Sequence, residues 1–137
     1  MSKEWFEWYV SEATKSKKWA MYKDRYLCPC CFMPTLDERS GYEICPICFW
    51  EDDGQDSDDA DIVRGGPNSN YSLTEARSDF EEFKTMYRRS DTRQFDNQEQ
   101  SKVERMSLYS AFLKAIKSES GIDWIMAIKQ QEDHRGE

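Results

Sequence analysis

The spacing of apolar positions changes twice along this chain, and the changes divide it into three parts. Phe6, Tyr9, Val10 and Ala13 recur at helical spacing with Trp5 and Trp8 on the flank. The first part therefore reads as an aromatic helix capped by Ser2. The polar interval Ser16-Lys17-Lys18 ends that helix or lies on its solvent face before Trp19, Met21 and Tyr22. From about residue 25 to residue 50, proline, glycine and cysteine are too frequent for helix. Within that stretch Arg25-Tyr26-Leu27 and Gly41-Tyr42-Glu43-Ile44 read as short strands. Residues 51–61 form an acidic loop, and Arg64-Gly65-Gly66-Pro67-Asn68 a turn.

Beyond residue 71 the helical period returns. Ser72-Leu73-Thr74-Glu75 matches a capping box, in which Ser72 and Glu75 reciprocally satisfy orphan backbone donors. Leu73, Ala76, Phe80, Phe83 and Tyr87 follow at steps of three and four, one face of a helix. Residues 88–100 are polar and predict an irregular connection. Met106, Tyr109, Leu113 and Ile116 mark another helix, with Leu108 and Phe112 beside them. A last short helix carries Ile122, Ile125, Met126 and Ile128 after Ser120-Gly121. The pattern predicts a single domain over 1–131, with an aromatic helix in 1–24, a cysteine ribbon in 25–68 and a helical part in 72–131. A frayed tail over 132–137 completes the chain.

Composition agrees with a folded domain. The 137 residues suffice for a modest core, and 38% of them are hydrophobic and 14% aromatic. No apolar run approaches the roughly 18 to 20 residues that cross a bilayer. Glu4 stands where a signal peptide would begin its apolar core, so a cytoplasmic protein without a membrane partner is expected. That setting disfavours disulfides, and five cysteines leave one unpaired in any case.

Two runs carry the chemistry. Cys28-Pro29-Cys30-Cys31 and Cys45-Pro46-Ile47-Cys48 each place two sulfurs two residues apart, with 13 residues (32–44) between them. Four thiolates so arranged suit a tetrahedral Zn²⁺, so Cys28, Cys31, Cys45 and Cys48 are the expected ligands of a closed, structural site. Proline after the first cysteine fits, because its fixed φ suits the turn and its absent N–H is not missed there. Aligning the two runs sets Cys30 against Ile47, which leaves Cys30 outside the ligand set. It is either a small side chain tucked against the ribbon or a spare thiol. Thioredoxin-like redox chemistry needs its motif at a helix start in a βαβ context, and none surrounds either run. Catalytic zinc needs an open position, usually with histidine, and the sole histidine is His134 in the tail. The sequence predicts no enzyme.

Charge is concentrated beside these runs. Residues 26–61 hold ten acidic side chains against one basic, net −9, whereas the whole chain carries −8. Glu51, Asp52, Asp53, Asp56, Asp58, Asp59 and Asp61 are seven carboxylates within 11 residues. A calcium loop is excluded, because Gly54 comes too early for that register. The run is either a solvated loop or a recognition surface for a basic protein partner. It repels phosphate backbones and attracts cations over about one Debye length, roughly 8 to 10 Å. Small size, an acidic face, a metal-stiffened scaffold and no catalytic set suit an immunity protein or antitoxin-like inhibitor of a basic toxin, a nuclease among the candidates. The competing class is a nucleic-acid-associated ribbon regulator. It needs clustered basic residues, and only Arg88, Arg89 and Arg93 offer them, against the net charge.

The strings Tyr26-Leu27-Cys28-Pro29-Cys30-Cys31, Gly41 to Asp56, Gly65-Gly66-Pro67-Asn68 and Ser72 to Arg77 together resemble the bacterial cysteine-rich CPCC family, over about residues 25 to 90. The resemblance implies a small zinc-ribbon-like domain and brings no established activity. Phe32 stands where the family usually has glycine, which leaves a left-handed turn to a residue with a Cβ. The expected fold class is α+β: a small four-cysteine zinc ribbon packed against three to four helices.

Overall fold

A computed structural model describes residues 3–15, 19–92 and 98–135. Ser2, the Ser16-Lys17-Lys18 interval and Arg93 lie outside the described residues, as do the side chains of Val10, Ala13 and His134. The fold is α+β, with four α-helices and one two-stranded antiparallel sheet among the described residues. In chain order these are α1 (Lys3–Lys15), β1 (Met21–Tyr22), β2 (Arg25–Tyr26), α2 (Leu73–Phe83), α3 (Gln98–Ser118) and α4 (Gly121–Arg135). The strands pair Met21 with Tyr26 and Tyr22 with Arg25 around a tight turn, where Lys23 takes φ 55°.

Between β2 and α2 the chain is built from turns and not from strands. The expected strand at 41–44 is reduced to one bridge, Ile44 to Glu51. Tyr42 sits at φ 63°, a left-handed conformation that breaks extended backbone. Its amide still reaches the carbonyl of Asp52 at 2.9 Å, so the two sides of the hairpin stay joined.

Ser72 caps α2 as its sequence predicts, accepting from the Glu75 amide at 3.0 Å. The box is half-made, because the Glu75 carboxylate turns to Arg88, at 2.8 Å from both Nε and Nη2. Lys84 at φ 64° closes the helix at Phe83, so Tyr87 belongs to the following bend and not to α2. On α3 the fully buried positions are Leu108, Phe112 and Ala115, with the expected Leu113 and Ile116 only partly covered.

The last helix differs most from its pattern. Ala127 and Gln131 are completely buried, whereas Ile122, Ile125 and Met126 are exposed by 72, 65 and 64%. A helix lying close on α3 presents its small residue to the contact, because Ala127 admits a near approach that isoleucine would block. α4 continues to Arg135, past the point where fraying was expected.

Two apolar clusters result. The larger surrounds the cysteines with Met33, Leu36, Ile47, Trp50, Tyr71, Leu73 and Phe112. The smaller, Tyr9, Ala20, Leu27 and Phe32, lies beneath α1. No described helix is long and apolar enough to cross a membrane.

Candidate metal centre

Each cysteine run folds into the same small loop. In the first, the Phe32 amide donates to the Cys28 carbonyl at 2.8 Å, and the Cys28 amide to the Met33 carbonyl at 2.8 Å. In the second, Phe49 donates to Cys45 and Cys45 to Trp50, both at 3.0 Å. Two further amides turn inward: Cys30 N–H lies 3.4 Å from Cys28 Sγ, and Ile47 N–H 3.4 Å from Cys45 Sγ. Donation of this kind stabilises a thiolate. The turns close through left-handed residues, Phe32 at φ 68° and Phe49 at φ 76°. The knuckle that lacks glycine thus forms nonetheless, with its ring packed edge-on against Phe6 and Tyr9.

The loops bring Cys28, Cys31, Cys45 and Cys48 together, their sulfurs all within 4.8 Å of one another. Cys28 to Cys48 and Cys31 to Cys45 both measure 3.6 Å. A disulfide spans about 2.05 Å, so these are separate thiols. Sulfurs held about 2.3 Å from a tetrahedral ion stand about 3.8 Å apart. The four fit such an ion, and each is at most 1% exposed. Burial pushes the Cys28, Cys31 and Cys48 thiols well up. Burial alone would raise Cys45 too, but donation from the other three and from Thr35 Oγ1, 3.3 Å away, holds it well below the usual range. A cation held among the four sulfurs would let the remaining thiols ionise in so dry a place. Cys30 is not one of the four clustered sulfurs; it is 1% exposed, and burial pushes its thiol up while a hydrogen bond from Cys48 partly offsets this.

Three arginines and a glutamine, none singled out by sequence pattern, fasten this centre. Arg77 of α2 donates through Nε to the Pro29 carbonyl at 2.8 Å and stacks over Phe32. Arg105 of α3 donates to the Ile47 carbonyl at 2.8 Å and also to that of Lys84. Each knuckle is thereby pinned by a different helix. Arg25 and Gln131 both donate to the Thr35 carbonyl at 2.9 Å, which ties α4 to the residue whose hydroxyl touches Cys45.

The acidic run divides. Asp52, Asp53 and Asp56 are 0, 8 and 4% exposed, which corrects the expectation that all seven carboxylates face outward. Arg39, the single basic residue of that segment, explains the reversal. Its Nε and Nη1 pair with Asp52 and Asp56 at 2.9 and 2.8 Å, and its Nη2 donates to the Gln55 carbonyl at 2.9 Å. The Trp19 ring covers the guanidinium at 4.2 Å, and Tyr9 donates to Asp56 at 2.9 Å. Burial, then the Asp56 charge, keeps the Tyr9 phenol protonated far above its usual range. Asp59 pairs with Arg64 at 2.7 Å. Glu51 is half-buried, and Asp58 and Asp61 are exposed.

A family model described as cysteine-rich CPCC matches residues 26–102, more than half of the chain. The chain belongs to the cysteine-rich CPCC family. The matched span includes all four clustered cysteines, both knuckles, the Arg39 cage and α2, and it stops within α3. α1, β1 and α4 lie outside the matched span, and Tyr9 and Gln131 tie α1 and α4 to it. No curated protein and no solved structure is significantly similar to this CPCC chain.

Proposed function

We propose that this CPCC protein is a non-enzymatic, zinc-stabilised protein-interaction module of the cytoplasm. Its sharpest form is an immunity protein or antitoxin-like inhibitor of a basic toxin. The observation that carries the reading is the closed set of four buried sulfurs. Four thiolates fill the shell of Zn²⁺ and leave no position for water or substrate, so the ion serves the scaffold. Thiolate donors also favour zinc over the oxygen-seeking cations. The carboxylates left at the surface, Asp58 and Asp61 with part of Glu51 and Asp59, supply the attraction for a basic partner. Of the three basic residues that the nucleic-acid reading needs, Arg88 is engaged by Glu75 and Asn70 and lies over the Tyr71 ring, which favours the protein-partner reading.

Emission spectroscopy of the purified protein tests the first half, with one zinc per chain expected. Surface plasmon resonance against the proteins encoded beside its gene, between 50 and 500 mM salt, tests the second. Binding that weakens at least tenfold as salt rises supports the reading, and binding indifferent to salt counts against an acidic docking face.

A further inference from the structure

A groove of about 820 Å³ runs between α1, the turn at residues 57–59 and α2. Its lining is more apolar than polar, with Phe32 from the smaller cluster, Phe6 packed edge-on against it and Ile62 from the loop. Phe6 and Ile62 are 37 and 54% exposed, more apolar surface than burial in a monomer requires. The charges around it are uneven. Asp58, Asp61 and Glu81 line the groove and are exposed. Two cations line it as well, Lys3 and Arg77. Arg77 is spent within the molecule, on the Pro29 carbonyl, the Ser57 hydroxyl and Asp56 at 3.7 Å. Asp59 is likewise neutralised by Arg64, and Asp61 accepts a hydrogen bond from Thr74 at 2.5 Å. Among the described residues, Asp58 and Glu81 have no side-chain partner.

We infer that this groove is the docking site for a protein partner, taking a segment in which a lysine or arginine alternates with an apolar side chain. The inference deepens the interaction-module reading and rests on it. Asp58 and Glu81, one on each side, meet the cation, while Phe6 and Ile62 receive the apolar neighbour. An aromatic face beside carboxylates suits arginine best, since the guanidinium forks to a carboxylate and stacks on a ring. Within the fold the Arg77 guanidinium already lies over the Phe32 ring, 5.1 Å from its centroid. A volume of this size holds a short segment of a few side chains, the scale of a hot spot and not of a whole interface.

The test is nuclear magnetic resonance of the metal-loaded, ¹⁵N-labelled full chain. The probe is a blocked twelve-residue peptide alternating arginine and leucine, with a citrulline-for-arginine counterpart as control. Amide shifts confined to residues 3–6, 32, 57–62 and 74–81, at least tenfold weaker binding of the citrulline peptide, and equal loss in Asp58→Lys/Glu81→Lys support the site. Both substituted residues are exposed, so metal content and circular dichroism should not change. Ile62→Ser gives a second variant that leaves the charges alone and should weaken binding at least threefold. Shifts centred elsewhere, equal affinity for both peptides, self-association of the free chain through these residues, or a DNA duplex bound at the same place would overturn the assignment. A partner found beside the gene that still binds Asp58→Lys/Glu81→Lys would overturn the groove while leaving the module reading intact. Absence of any partner would remove both.

Discussion

Arg105 donates to the carbonyl oxygen of Ile47 at 2.8 Å, so a helix 58 residues further along the chain holds the second knuckle in place. Arg105 is 7% exposed, and its guanidinium lies 5.0 Å from the centre of the Phe49 ring. Burial lowers its pKa, and the negative character of Cys48 and Cys45 partly restores it. Arg105→Gln should cost about 1.5 to 3 kcal/mol, the usual scale for a buried charged hydrogen bond. It should also release metal faster to a colorimetric chelator than the parent protein does. Lysine should rescue it in part, because both carbonyls accept from the single nitrogen Nη1 and one ammonium also carries several donors.

Removing a ligand has a larger effect than removing a fastener. Structural zinc contributes about 10 to 16 kcal/mol of apparent binding energy in small peptides, against about 5 to 15 kcal/mol of net stability for a domain. Cys45→Ala, or chelation of the parent, should therefore unfold residues 26–72, read as lost amide dispersion. Cys30→Ala should keep one metal per chain by emission spectroscopy. Metal loss in that variant would contradict the ligand set.

Phe32 sets two effects against each other. Glycine there would relieve a left-handed backbone, worth about 1 to 2 kcal/mol. It would also delete a buried ring that meets Phe6, Tyr9 and Arg77, at about 3 to 5 kcal/mol for a lost core phenylalanine. Packing wins, so Phe32→Gly should lower stability by about 2 kcal/mol in urea titration. A gain in stability would show that strain at this turn is the larger quantity.

Two carboxylates of α2 should respond to pH with opposite signs. Burial, then the charges of Glu75 and Glu82, pushes the Asp79 carboxyl up to about 6, and one of its oxygens is buried without a partner. A raised folded pKa means that the native state binds the extra proton, so Asp79 costs stability as pH rises from about 4 through about 6. Asp79→Asn should accordingly raise the melting temperature at pH 7.5 and change little at pH 4. Glu75 is lowered by its hydrogen bonds from Arg88, so its contribution is present at neutral pH and fades as pH falls below the ordinary carboxylate range. Glu75→Gln should lower the melting temperature at pH 7.5 and converge with the parent in acid.

Much of this centre was legible because spacing is local. Cys28, Cys31, Cys45 and Cys48 announce themselves by number, and Ser72 by the helix it begins. What pattern could not supply is which polar groups turn inward. Asp52 and Asp56 read as surface until Arg39 is seen between them; its standing as the one base among ten acids was the available signal. Arg77 and Arg105 carry no such mark, since their partners are backbone carbonyls, which every residue has. α4 misled for another reason: Ile122, Ile125 and Met126 are apolar, yet the contact with α3 selected Ala127 for its size.

Thr35 and Gln131 impose an order on events. The ribosome delivers all four thiols before α3 and α4 exist, so metal can be captured by a nascent ribbon. The glutamine that clasps the Thr35 carbonyl arrives 96 residues later. Uptake of an ion by the four thiols and final tightening would thus be separated in time, and a chain cut short before Gln131 should hold such an ion in a looser grip.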